Sequence, residues 1–287
     1  MAENQKDVVL DVDDKPAFGQ WVGLSLQHMF SMFGSTVLVP LLVGLNPGIA
    51  LFSSGVGTLL HILITKREIP AYMGSSFAFI VPMMSLMQTT GYPGVAAGVI
   101  SVGVIYLIIA GIVAMIGTDW IDKLLPPIVV GPIVMVIGLS LAPSAAQSAT
   151  LLNDKYDIRV FLVAMLTLGV TILFNMKLRG FLGLIPILLG IMVGYIAAAA
   201  VGLVDFKPVM EASWFAMPDF EIPFVNYQPH LYWNAIIVMA PLALVTITEH
   251  LGHLMVLDDL TGRDYMKEPG LQRTLAGDGA ASVFAGL

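Results

Sequence analysis

The sequence predicts an all-α polytopic membrane protein, and three observations carry that prediction. Apolar residues make up 57% of the chain and charged residues only 11%, whereas a soluble domain carries about 25% charged residues. The apolar residues fall in runs of about 20, the length at which a helix crosses a ~30 Å hydrocarbon core. The ~10-residue alternating segments of a transmembrane barrel are missing. The absence of cysteine excludes disulfides and thiol-based metal or nucleophile chemistry. The net charge of −7 is not a nucleic-acid signature, and much of it sits in Glu3, Asp7, Asp11, Asp13 and Asp14. Residues 1–15 lack a basic region followed by a short apolar core, so they read as a cytoplasmic tail and not as a signal peptide.

Eight full spans and the start of a ninth follow. The first covers Phe18 to Leu45 and closes at Asn46-Pro47-Gly48. The second covers Ile49 to Thr65 and closes at Lys66-Arg67-Glu68. The third runs from Pro70 to Met87, the fourth from Val95 to Ile116, the fifth from Pro127 to Leu141. The sixth runs from Val160 to Met176, the seventh from Leu182 to Val204, the eighth from Trp233 to Leu257. A ninth apolar stretch begins near Leu275. With the N-terminus in the cytoplasm, the inner segments hold ten Lys and Arg residues against three outside (Lys155, Arg159, Lys207). That is the bias the positive-inside rule requires. The segment up to Tyr232, with Trp214, Phe215, Phe220, Phe224 and Tyr227, suits an anchored extracytoplasmic loop with an interfacial aromatic belt.

Two spans carry chemistry. In the third, Gly74-Ser75-Ser76 lowers helix propensity, Phe77-Ala78-Phe79-Ile80-Val81 favours extended chain, and Pro70 and Pro82 punctuate the run. Both a broken, partly extended segment lining a cavity and a proline-kinked helix fit this pattern. In the eighth, Thr248-Glu249-His250-Leu251-Gly252-His253 places a carboxylate and two imidazoles inside an apolar run. Such groups are expensive in hydrocarbon and point to function. Helical spacing puts Glu249 and His253 on one face and turns His250 about 100° away. A carboxylate accepts hydrogen bonds from N–H groups and, once protonated, donates one. It therefore suits a planar cyclic amide as ligand and a proton as coupling ion, with His253 holding the carboxylate or sharing its proton.

No enzyme is expected. A zinc protease needs histidines four apart in His-Glu-x-x-His, but His250 and His253 are three apart, and Thr246 stands where the inverted form needs histidine. No metal or other cofactor is expected. Gln27 and His28 are polar groups inside the first span, suited to interhelical hydrogen bonding or to a site. His61, near the second span's inner end, reads as interfacial with no site role. Gly131, Gly138, Gly183, Gly190 and Gly194 suit packing against a second copy, and internal packing explains them equally well.

Three stretches resemble one family: Leu24 to Pro40, Ile69-Pro70-Ala71-Tyr72-Met73-Gly74-Ser75-Ser76-Phe77-Ala78-Phe79, and Glu249-His250-Leu251-Gly252-His253. They are similar to the nucleobase/ascorbate transporter family, in its bacterial uracil-transporting branch, and the likeness covers nearly the whole chain from Phe18. The resemblance implies an inverted seven-span repeat fold, with a core domain, a gate domain and short strands breaking spans three and ten. On this chain it implies core spans in 16–117, gate spans in 118–204, an outer loop in 205–232 and the start of the second repeat in 233–287. It implies proton-coupled uptake of uracil across the bacterial inner membrane, with the N-terminus cytoplasmic. Glu249 would bind the base and carry the proton, the Phe77 amide would bond the base, and its ring would wall the pocket. Ser76 and Ser35 would line that pocket, His253 would support Glu249 and share in the coupling, and His28, Gln27 and His250 would assist. Family members that take purines usually carry an acidic residue where His253 stands, which favours uracil over xanthine or another base. An anion exchanger of similar architecture would want a basic residue in place of Glu249. The chain stops at Ala285-Gly286-Leu287, before a tenth span, so these 287 residues alone are expected to be inactive.

Overall fold

A computed structural model describes residues 14–118, 120–121, 127–153, 155–179, 182–183, 185–213 and 229–287. The tail up to residue 13 and the aromatic positions Trp214, Phe215, Phe220, Phe224 and Tyr227 lie outside these residues. The described chain is mostly helical. In order come α1 (Phe18–Ser31), α2 (Phe33–Val43), α3 (Pro47–Ile64), α4 (Ile80–Thr89), α5 (Gly91–Ile116) and α6 (Pro127–Thr150). A two-stranded hairpin, β1 (Leu151–Leu152) and β2 (Lys155–Tyr156), leads to α7 (Ile158–Lys177), α8 (Pro186–Ala200) and α9 (Lys207–Glu211). Last come α10 (Pro229–Met239), α11 (Leu242–Thr261) and α12 (Leu271–Ala285).

Among the described residues, five stretches are long and apolar enough to cross a membrane: Pro47–Ile64, Gly91–Ile116, Gly131–Thr150, Ile158–Lys177 and Tyr232–Thr261. The other expected spans are shorter or interrupted helices. The first divides at Met32 into α1 and α2. The eighth is a single apolar stretch that bends at Ala240 and Pro241, between α10 and α11. Proline has no N–H for the ladder, and its ring clashes with the carbonyl four residues back. The fifth runs past the expected Leu141 to Thr150, because Ala, Ser and Gln continue a helix although their hydropathy falls. The second starts where Asn46 caps it: its side chain accepts from the Gly48 N–H, and Pro47 takes the first helical position.

The third span departs furthest from a helix. Residues 68–76 form neither helix nor ladder, and one 3₁₀ turn, Phe77–Phe79, then opens into α4. The expected strand does not form. A strand needs a partner ladder, and the ladder present among the described residues is the β1–β2 hairpin, with Leu151 opposite Tyr156. Side chains tie down the irregular segment instead. The Thr36 and Tyr72 hydroxyls lie 3.3 Å apart, and the Met73 N–H donates to Thr58 Oγ1 at 3.0 Å. Such anchoring is what non-helical backbone at membrane depth requires.

The chain forms two compact units. One comprises Met1–Pro16, Ser35–Gly138 and Asp219–Leu287; the other comprises Ala17–Gly34 and Leu139–Pro218. In the first, α12 packs against both α3 and α5, and α10 and α4 pack on α5. Ala235, Met239, Ala243, Leu271 and Leu275 are fully buried there. The α5–α12 contact is close because it is made by glycine on both sides. A Cβ on Gly103 would stand 2.7 Å from the Gly279 carbonyl oxygen, and one on Gly279 would stand 2.9 Å from the Gly103 oxygen. Small residues of this kind let helix backbones approach within a membrane. In the second unit α7 packs on α8, where Thr171 and Thr167 fill the space left by Gly190 and Gly194, and α8 also meets α1.

Candidate functional site

The polar run of the eighth span lies on α11. Its hydroxyls are satisfied locally: Thr248 donates to the Leu244 carbonyl at 2.8 Å and Thr246 to that of Leu242 at 3.1 Å. These back-bonds let threonine sit buried in a helix at little cost. The ionisable side chains must find partners elsewhere, and two neighbours find different ones.

Glu249 meets the interrupted third span. Ser76 Oγ donates to Glu249 Oε2 at 2.9 Å, and Ser76 Oγ itself accepts from the Ala78 N–H at 3.3 Å. Ser76 is thus the N-cap of the Phe77–Phe79 turn and the tether of the carboxylate. The first N–H groups of a helix lack internal partners and carry the positive end of its dipole, so a carboxylate is favoured there. Among the described residues the Phe77 N–H has no acceptor. Phe77 as a whole is 39% exposed. Ser35 lies against the same segment, its Oγ 3.6 Å from where a Cβ on Gly74 would stand. The structure therefore brings together Glu249, Ser76 and Phe77, with Ser35 beside Gly74 of the same segment.

His250, a turn of 100° away, meets α12. Its Nδ1 lies 2.7 Å from Asp278 Oδ2, and its Nε2 lies 2.9 Å from Thr274 Oγ1. From α3, His61 Nδ1 approaches Asp278 Oδ1 at 3.1 Å. That contact is within ion-pair distance but lacks hydrogen-bond alignment. Tyr106 of α5 stands within electrostatic reach of both Asp278 and Glu249.

The remaining expectations fare differently. His253 is exposed, and among the described residues it makes no hydrogen bond to Glu249, although the two share a helix face. The carboxylate turns to Ser76 instead. Gln27 and His28 lie on α1, in the other compact unit, and the Gln27 side chain lies outside the described residues. His61, expected to have no site role, is buried at 1% exposure in the contact between α3 and α12. Sequence reasoning missed Asp278 altogether. Its signal was present, an aspartate between two glycines in the ninth apolar stretch, to which the argument for intramembrane charges applies as it does to Glu249.

A family model described as "Permease family" matches residues 19–287. The uracil permease of Bacillus caldolyticus is 50% identical over 281 residues, which cover 97% of this chain and 65% of that protein. The uracil permease of Bacillus subtilis is 48% identical over 290 residues, covering 99% of this chain and 66% of that one. That of Escherichia coli K12 is 44% identical over 281 residues, covering 97% and 64%. The chain thus spans between 64% and 66% of the length of these relatives. Five apolar stretches of spanning length, a match running almost end to end and relatives named as permeases agree on one assignment: this multi-pass membrane protein belongs to the permease family.

Proposed function

We propose that the protein takes up uracil together with protons, and that the base binds where α11 meets the interrupted third span. The observation that carries this reading is the tethering of Glu249 by Ser76 at the head of a turn whose Phe77 N–H is unpaired. Uracil presents N–H and C=O groups alternately along one edge. A carboxylate accepts from its N–H, a backbone amide donates to its C=O, and the ring of Phe77 covers its flat face. Protonating Glu249 turns an acceptor into a donor, so occupancy of the site and proton binding depend on each other. Ser35 completes the lining beside Gly74. The names of the relatives, uracil permeases in three organisms, support the choice of base. With this reading go the wider expectations: an inverted repeat of seven spans, a core and a gate domain, an inner-membrane location and a cytoplasmic N-terminus.

The test is uptake of labelled uracil by the full gene product in cells that lack uracil uptake. Unlabelled uracil should compete, xanthine should not, and collapsing the proton gradient should stop accumulation. Competition by xanthine but not by uracil would move the assignment to another base. Accumulation that survives loss of the gradient would remove the coupling.

A further inference from the structure

We infer that His250 and Asp278 form a second proton-binding site, holding one proton as an imidazolium–carboxylate pair braced by His61, separate from the Glu249–Ser76 contact. Asp278 is an acceptor, so the His250 Nδ1 that faces it at 2.7 Å carries hydrogen. When the Thr274 hydroxyl donates to the Leu271 carbonyl at 3.1 Å, its oxygen, 2.9 Å from His250 Nε2, offers that nitrogen only lone pairs. In that arrangement Nε2 carries hydrogen as well, and a ring protonated at both nitrogens is a cation; this is the state we assign to the pair. Removal of one proton needs no backbone movement: the Thr274 hydroxyl turns from Leu271 to Nε2, which then accepts.

His61 does not hold a second such proton. Its Nε2 is buried with no partner among the described residues, and a cation there would bury an unpaired N–H. It stays neutral and walls off Asp278 Oδ1. Gly277 makes that approach feasible, since a Cβ there would stand 2.5 Å from His61 Nδ1. The titratable groups facing the pair are His61 from α3 and Tyr106 from α5, the latter also within electrostatic reach of Glu249 of α11, with Asp278 itself on α12. The site thus lies one residue along α11 from the carboxylate assigned to the substrate. Its use in transport rests on the uracil reading; its proton occupancy does not.

The experiment is side-chain nitrogen NMR of histidine-labelled full gene product in lipid nanodiscs, near neutral pH, with no uracil present. Loss of signals in His250→Gln assigns the ring. His250 should show two protonated nitrogens and His61 one. Asp278→Asn should abolish the doubly protonated pattern; Thr274→Val, which keeps the shape of the side chain, should do the same if the first variant does not fold. A neutral His250 ring in the wild type, or a cationic His61, overturns the inference. In uptake, Asp278→Asn should move the alkaline limb of the pH profile toward acid and leave uracil binding at acid pH in place. Equal loss at every pH would confine the pair to a structural role. Because the NMR measurement contains no uracil, failure of the uracil assignment and failure of the proton site appear in different experiments.

Discussion

Glu249 and His250 are adjacent on one helix, yet they face opposite kinds of surroundings. Glu249 points to a hydroxyl and a turn with a free amide, at the edge of backbone that is neither helix nor strand. His250 points into a closed contact between three helices, where its two nitrogens are already matched. A neutral, single-point partner is easily exchanged for a ligand, and a paired buried charge is not. The difference separates a place for the base from a place for a proton, on neighbouring residues.

Substitutions can break or sharpen this contrast, beginning with the largest effect. Asp278→Asn leaves a buried partner uncompensated and should cost roughly 3–5 kcal/mol of stability, read as a lower unfolding temperature in detergent; unchanged stability would mean that the pair is not formed. Gly103→Leu should cost about 1–3 kcal/mol through overpacking, since its first side-chain atom already meets the backbone of α12 at 2.7 Å. A fully stable variant would show that α5 and α12 do not approach as described. Ser76→Ala removes one hydrogen bond to a carboxylate, worth about 1.5 kcal/mol or more, so uracil should bind about tenfold more weakly or worse; calorimetric titration decides this. His253→Gln should leave binding within about twofold, as for an exposed side chain with no described partner. A loss as large as that of Ser76→Ala would restore the supporting role that helix periodicity suggested.

Much of this was legible before any coordinates. A carboxylate in an apolar run identified Glu249, and the Gly-Ser-Ser sequence between two prolines marked the interruption of the third span. What could not be read is what depends on a second segment. No strand forms at Phe77 because pairing belongs to two segments and one of them cannot specify it alone. His61 sits near the Lys66–Arg67 turn in sequence, so linear position suggested an interface, and its burial in the contact with α12 was not legible from that position. The division of the first span at Met32 left no proline or charge to announce it. Asp278 was a different failure, since the rule that found Glu249 also covered it.

The most direct test of the account is uracil binding measured across pH for the wild-type gene product beside Glu249→Gln, which keeps the shape and removes the titration. The account predicts pH-dependent binding in the wild type, and in the variant binding weakened about tenfold or more with the Glu249-linked part of that dependence gone. Equal affinity and an identical pH profile in the two proteins would contradict it.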